Sequence, residues 1–170
     1  DSVGGADAVL PERGLRVVTT TPVLFSLAAK ILGEFGTIIN LVPPGASPEN
    51  YALRPQDAEA AARADVLVMN GLGFERFLEG VVADARGQGI RVVVASDGVE
   101  TTPFSLMLSL DFVPDPHVWV DPLRAIRMVE NIAGGLAAAD PPHVSEYRAN
   151  AEAAAAQLRA LDQEFREALA

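Results

Sequence analysis

The chain has 170 residues, of which 49% are hydrophobic and 21% are charged, so it has enough apolar material for one domain with a buried core and is not extensively disordered. Its formal net charge of -10, from 23 acidic and 13 basic residues, disfavours binding to the phosphates of a nucleic acid. It has no cysteine, which excludes disulfides, thiolate zinc sites, iron–sulfur clusters and thiol nucleophiles, and no apolar run approaches the ~20 residues that span a bilayer.

Strand and helix patterns alternate along most of the chain. Residues 1–15 are short of apolar pattern, and we expect a disordered or extended tail there. Four β-branched runs then predict strands at residues 16–20, 37–42, 65–70 and 91–95. Each run is almost continuously apolar, as strands buried on both faces are. Helical patterns between the runs predict right-handed βαβ units and a parallel sheet.

Capping residues place the helices between and after these strands. Thr21 caps the first helix, Gly33 ends it, and Pro55 begins a short alanine-rich helix. The helix after the third strand should carry one apolar face, made by Phe74, Phe77, Leu78 and Val81. Residues 96–116 show no clear periodicity. Asp121 caps a further helix, whose inner stripe is Ile126, Val129, Ile132 and Leu136.

The last segment, residues 141–170, has a long helical pattern. Its apolar residues alternate spacings of three and four: Val144, Tyr147, Ala151, Ala154, Leu158, Leu161 and Phe165. A helix of ~30 residues would be ~45 Å long, which exceeds the width of a domain of this size. One interpretation is a coiled-coil partner. We favour the other, a backbone helix that spans two lobes, of which these 170 residues contain one.

Polar residues follow the predicted strands where a ligand site is expected. In open parallel sheets, ligands bind beyond the carboxyl ends of the strands. Glu49 and Asn50 follow the second strand, Asn70 the third and Asp97 the fourth, and the segment D-P-H-V-W-V-D-P lies at 115–122. The topology predicts that these loops meet at one edge of the sheet.

His117 is the strongest candidate ligand in this set. Pro116 restricts the backbone before it, and Trp119 can shield it from water. A metal-binding imidazole also needs a carboxylate or carbonyl on its other nitrogen, which Asp115 or Asp121 could supply. Taken alone, a single histidine is more often structural, so the surrounding motif carries the argument.

Three segments resemble one family of transport proteins. Residues 115–122 are similar to the pattern D-P-H-x-W-x-D-P of the cluster A-I zinc and manganese solute-binding proteins of ABC transporters, whose histidine is a metal ligand. Residues 44–57 (P-G-A-S-P-E-N-Y, then Pro55 and Asp57) are similar to the family's P-G-x-D-P-H-x-Y-E-P-x-P-x-D loop. Residues 65–75 resemble the segment before its third helix. The resemblance runs from about Arg16 to the end.

The resemblance implies a fold and a function. The fold would be α/β, with a four-stranded parallel sheet flanked by helices and a long carboxyl-terminal backbone helix. Residues 16–139 would be the amino-terminal lobe of a metal receptor and 140–170 the connecting helix, with the second lobe absent from this chain. The protein would not be an enzyme. It would capture zinc or manganese outside the cytoplasmic membrane, in the periplasm or anchored at the cell surface, and deliver the ion to the membrane subunit of an ABC importer.

The resemblance also implies a partial metal site. Its ligands would be Glu49 and His117, with Asn50, Asp115 and Asp121 in support. Glu49 stands where the family has a histidine. It either coordinates, which shifts the preference from zinc toward manganese, or is a solvated loop residue in a lobe that has lost a ligand; the sequence leaves both alternatives open. With at most two of four ligands present, binding should be weak, in or above the micromolar range.

Three features of the sequence suggest other functions. Gly71 and Gly73 suggest a nucleotide-binding turn, but Arg76 occupies the place of the third glycine. An enzyme would need a second activating group near the histidine of the 115–122 motif, and no residue in the sequence can be identified as that group. An interaction module could associate through the apolar stripe of the long helix, and this alternative is compatible with metal binding. His143, at the start of that helix, is predicted to be a surface residue away from the site.

Overall fold

The computed structural model describes residues 14–101, 103–105 and 112–170, apart from the side chains of residues 49, 103–105, 112 and 113. Within this part of the chain, the main sheet consists of β1 (Leu15–Thr19), β2 (Gly36–Asn40), β3 (Val66–Met69) and β4 (Arg91–Val94). All neighbours are parallel and the order is β2-β1-β3-β4. The predicted four-stranded parallel sheet is therefore confirmed. Residues 1–13, most of the predicted tail, lie outside the described residues.

Five α-helices flank the sheet in the described part: α1 (Pro22–Leu32), α2 (Pro55–Ala62), α3 (Glu79–Gly87), α4 (Pro122–Ala139) and α5 (Val144–Ala168). Two of the predicted caps form as expected. The Thr21 hydroxyl accepts a hydrogen bond from the backbone of Leu24, and the Asp121 carboxylate accepts one from the backbone of Leu123. Each cap satisfies a backbone N–H that the first turn of a helix leaves without a partner.

The segment after β3 differs from the prediction of one helix with Phe74 on its apolar face. Gly71, Leu72 and Gly73 have φ values of 88°, 55° and 75°, so the chain first makes a left-handed turn. A 3₁₀ helix at Arg76–Leu78 follows, and α3 starts only at Glu79. The buried residues of α3 are consequently Val82 and Ala85, and Phe74 precedes the helix.

A small hairpin lies in the stretch for which the sequence predicted no regular structure. Strands β5 (Pro103–Ser105) and β6 (Phe112–Pro114) pair in antiparallel fashion. Residues 102 and 106–111, in the same stretch, lie outside the described residues. The hairpin leads directly into residues 115–121, which carry the candidate histidine.

The core has two layers, one on each face of the sheet. Alternate residues of a strand face opposite sides. Thus Val17, Val66 and Val68 pack with α1, α4 and the first half of α5, whereas Val18 and Leu67 pack in a second cluster with α3. The predicted inner stripe of α4, including Ile132 and Leu136, is buried. The result is a three-layer α/β/α arrangement.

Helix α5 has 25 residues and begins after a 3₁₀ turn at Pro141–His143, so it is about 37 Å long. The first half of its apolar stripe is buried, with Tyr147 fully enclosed and Ala151 and Ala154 nearly so. Further along, exposure rises: Leu161 is 38% exposed, Phe165 49% and Leu169 87%. The first half of α5 is therefore packed on the lobe, whereas its last turns are exposed to solvent.

Two adjacent glycines of α4 give a test of this packing. A Cβ on Gly135 would lie inside van der Waals contact with Val93 Cγ2, whereas a Cβ on Gly134 would meet nothing within 4 Å. We expect Gly135→Ala to lower the free energy of unfolding by about 1–3 kcal/mol through overpacking. Gly134→Ala should raise it by up to about 1 kcal/mol, since alanine favours the helix. Urea unfolding of both variants measures this, and two stabilised variants would contradict the close approach of α4 to β4.

Candidate metal centre

The His117 imidazole is held by a carboxylate two residues before it. Its Nδ1 lies 2.8 Å from Asp115 Oδ1, and its backbone N–H donates to the same oxygen at 2.9 Å. These contacts, the backbone hydrogen bond first, lower the pKa of Asp115, so the carboxylate is ionised at neutral pH. An ionised acceptor at Nδ1 favours the proton there and leaves Nε2 as the nitrogen suited to a metal.

Aromatic rings form the wall behind this imidazole. Phe74 meets it edge-on with ring centroids 5.4 Å apart, and Trp119 lies 5.2 Å away. Phe74 is nearly buried, but the His117 side chain is 45% exposed. The imidazole is therefore open to solvent on one side and shielded on the other, not enclosed among aliphatic side chains.

The loop after β3 meets the histidine segment at the edge of the sheet, as the topology predicted. Asn70 is fully buried and its Nδ2 donates to the carbonyl of Pro116 at 3.0 Å. Beneath it lies the buried carboxylate of Glu75, which accepts hydrogen bonds from Thr20, Asn70 and Gly71. Glu75 was not among the predicted site residues, and the one sign of it in the sequence is an acidic residue directly after the turn at residues 71–74.

The loop after β2 lies on the same side of the sheet. Its 3₁₀ helix, Pro48–Asn50, contacts the one at Arg76–Leu78. The Tyr51 ring packs edge-on against Phe77, with centroids 5.4 Å apart. Asn50 is exposed at this edge. The predicted ligand Glu49 belongs to the 3₁₀ helix by its backbone, and its side chain lies outside the described residues.

The two carboxylates predicted to support His117 serve different groups. Asp115 bonds the imidazole, whereas Asp121 caps α4 by accepting from the backbone of Leu123 at 2.9 Å and of Arg124 at 3.3 Å. Asp97 follows β4 as predicted, and its carbonyl accepts from Asn131.

His143 lies away from the predicted site, as expected, and its partly exposed imidazole also makes contacts that the sequence did not predict. Its Nδ1 lies 2.7 Å from Asp140 Oδ2, its ring stacks on Phe35 at 4.5 Å, and Tyr147 donates to the same carboxylate oxygen. Its side chain is 31% exposed. The four side chains form the junction between α4 and α5, and His117 lies beyond the other end of α4, a helix of 18 residues that is about 27 Å long.

Within the described part of the chain, no three histidine, aspartate or glutamate side chains are grouped so that they could hold a metal ion. A complete zinc site has four ligands in its structural form and three protein ligands in its catalytic form. Among the predicted ligands, His117 is thus the one whose described side chain has the orientation that a metal requires.

A parallel α/β lobe with an oriented imidazole at the carboxyl edge of its sheet has the architecture of a solute-receptor lobe. Residues 17–170 match the family model described as "Zinc-uptake complex component A periplasmic", and the chain belongs to that family. It is 32% identical over 155 residues to the iron-binding protein YfeA of Yersinia pestis, covering 91% of this chain and 49% of that protein.

Two further relatives show the same partial coverage. The manganese ABC transporter substrate-binding lipoprotein PsaA of Streptococcus pneumoniae is 31% identical over 159 residues, which is 91% of this chain and 51% of that protein. The structure of the periplasmic zinc-binding protein TroA from Treponema pallidum superposes with a TM-score of 0.82 at 27% identity, covering 91% of this chain and 55% of the other. The chain thus spans about half the length of the relatives it matches.

The relatives also bear on location and cargo. Their names describe lipoproteins or periplasmic proteins, which agrees with the expected extracytoplasmic location. The metals in those names are iron, manganese and zinc. The helices in the described part of the chain contain no segment with the length and hydropathy of a membrane span.

Proposed function

We propose that this chain is the amino-terminal lobe of a solute-binding protein that captures a divalent first-row metal ion for an ABC importer. The observation that carries the proposal is the Asp115–His117 pair, whose 2.8 Å contact orients a half-exposed imidazole at the carboxyl edge of the sheet. Carboxylate–histidine–metal arrangements of this kind fix the tautomer and raise the basicity of the ligand.

The surroundings of His117 suit capture and release of an ion. The His117 side chain is 45% exposed, so an ion can reach it from solvent, and the rings of Phe74 and Trp119 limit its motion. Glu49 is the proposed second ligand, with Asn50 beside it on the neighbouring loop. One nitrogen and one carboxylate oxygen can bind a divalent first-row metal ion. The metals in the relatives' names are zinc, manganese and iron.

The proposed delivery step needs a second lobe and a membrane partner. With two protein ligands, water fills the other coordination positions, so the ion is held loosely by this lobe alone. The membrane subunit of the importer would receive the ion. The family consists of metal-binding transport components, and no step of the proposed function is catalytic.

Calorimetric titration with zinc and with manganese tests the role of this lobe. We expect dissociation constants in or above the micromolar range for both ions. Glu49→His should raise the zinc affinity relative to manganese, because an imidazole nitrogen is a softer ligand than a carboxylate oxygen. The matched control is Glu34→His, an exposed residue in the turn before β2, at the other edge of the sheet. If both variants bind zinc as the parent does, Glu49 lies outside the site; if the parent binds neither ion, the proposal is wrong.

A second candidate function is self-association through the exposed end of α5, where Leu161 is 38% and Phe165 49% exposed. Burying such a stripe against a second copy would remove apolar surface from water. Light scattering over a range of concentrations should then show a dimer, and the double variant Leu161→Glu with Phe165→Glu should be a monomer. A parent chain that is monomeric at every concentration would contradict this function and leave metal capture unaffected.

A further inference from the structure

Glu75 is a buried carboxylate that the proposed metal site does not use directly. The residue is 3% exposed. Its Oε1 accepts hydrogen bonds from the Thr20 hydroxyl at 2.7 Å and the Asn70 N–H at 2.5 Å, and its Oε2 accepts from the Gly71 N–H at 3.0 Å. Burial raises the pKa of Glu75, and these donors oppose the rise by stabilising the charged form. A buried carboxylate is unfavourable unless it is fully hydrogen-bonded, so a specific role for Glu75 is expected.

The carboxylate holds the left-handed turn that follows β3. Gly71, Leu72 and Gly73 all have positive φ, and for a leucine this conformation is strained. Two successive backbone N–H groups, at Asn70 and Gly71, point at the two oxygens of Glu75. A neutral amide in place of the carboxylate would turn an NH₂ group toward one of these donors.

The turn at residues 70–74, held by Glu75, contacts residues 116–119 in two ways. Asn70 Nδ2 donates to the carbonyl of Pro116, the peptide group that leads into His117, at 3.0 Å. Phe74, the residue before Glu75, packs against the rings of both His117 and Trp119. The position of the imidazole therefore depends on residues whose backbone Glu75 fixes.

The Asn70 side chain keeps its hydrogen bond to Pro116 although one of its own buried atoms has no donor among the described residues. Its Nδ2 donates to the carbonyls of Gly71 and Pro116, while no described residue donates to its Oδ1, although that atom is buried. A buried acceptor without a donor is unfavourable. An apolar side chain would avoid this penalty but could not hold the Pro116 carbonyl.

We infer that Glu75 is a positioning residue for His117, acting through Asn70 and Phe74. Thr20 anchors the carboxylate to the end of β1, the carboxylate anchors the turn, and the turn anchors the peptide before the imidazole. The inference rests on the proposed function for its consequence, metal affinity, but the orientation of His117 can be measured without metal. A carboxylate that merely stabilised the fold would leave that orientation unchanged.

The test compares Glu75→Gln and Asn70→Ala with the control Glu79→Gln, which makes the same charge change at an exposed position of α3. Side-chain ¹H–¹³C correlation spectra of metal-free protein at one neutral pH report the position of the His117 ring, because the neighbouring rings of Phe74 and Trp119 shift its resonances. The parent and the control should show the same His117 resonances, and the two variants shifted ones. Zinc titration should show an affinity about tenfold lower in both variants, the size expected when an outer-shell partner is lost.

The outcomes separate the two proposals. If the His117 resonances shift in the variants but the parent itself binds no zinc, the positioning role is supported and the proposed function is contradicted. Glu75→Gln that folds and keeps the parent's His117 resonances and zinc affinity overturns the inference. If Glu75→Gln does not fold, Asn70→Ala decides, because it keeps the three hydrogen bonds to the Glu75 carboxylate and removes only the two that the Asn70 side chain donates, to Gly71 and to Pro116. Unchanged resonances in that variant overturn the inference as well.

Discussion

Replacing His117 with alanine is expected to lower the zinc affinity of this chain by at least about a hundredfold. Loss of an outer-shell partner alone costs about 10- to 100-fold, and here the ligand itself is removed. The Asp115 carboxylate would stay ionised, because its pKa is lowered chiefly by the backbone N–H at position 117, which the substitution keeps. The variant should therefore retain the charge of the site and lose the ligand. Calorimetric titration with zinc measures the difference.

His143 provides the matched control for this substitution. It also has its Nδ1 against an aspartate, at 2.7 Å from Asp140 compared with 2.8 Å for His117 and Asp115, but it lies at the opposite end of α4. His143→Ala should leave the zinc affinity unchanged, because that imidazole belongs to the junction with α5. Identical isotherms for the parent and His117→Ala would remove His117 from the site. Equal losses in both variants would show nonspecific binding by imidazoles.

The parts of the fold that the sequence predicted are those set by local chemistry. The caps at Thr21 and Asp121 form because a side-chain oxygen next to the first helical turn needs no distant partner. The strands were recognisable because their residues are mostly apolar, and the two central strands, β1 and β3, are mostly buried as expected. The edge strands β2 and β4 are only partly buried, and Ile39 of β2 is 53% exposed, so burial on both faces does not hold for them. The contact of Asp115 with His117 likewise spans two residues, and its type could be expected from the motif alone.

The parts that the sequence missed depend on distant contacts. Glu75 accepts a hydrogen bond from Thr20, which is 55 residues earlier in the chain, and the sequence around these two residues does not predict that contact. The late start of α3 follows from three left-handed residues, and a leucine in that conformation contradicts its own preference. The packing of His143 was not predicted either, because the ring that contacts it, Phe35, belongs to the turn before β2, more than 100 residues earlier in the chain.

Asp57 is the residue for which we expect the largest loss of stability on a conservative change. It is 4% exposed, and its carboxylate accepts from the Tyr51 hydroxyl at 2.8 Å and from the Arg54 backbone and guanidinium at 2.8–2.9 Å. Asp57→Asn should lower the free energy of unfolding at neutral pH by about 2–3 kcal/mol, since hydrogen bonds to a charged group are worth about 1.5–3 kcal/mol and one amide donor would face other donors. Urea unfolding measures this, with Asp84→Asn, an exposed change on α3, as the control.

The pH dependence of the Asp57 effect has a definite sign. The Arg54 side chain, first among the causes, lowers the pKa of Asp57 in the folded state below its value in the unfolded chain. The ionised carboxylate therefore stabilises the fold above the unfolded pKa of about 3.9, and this contribution is lost as the pH falls through the folded pKa. The difference between parent and Asp57→Asn should accordingly shrink in acid. A difference that is constant from neutral pH to about pH 2 would show that shape, not charge, makes this residue important.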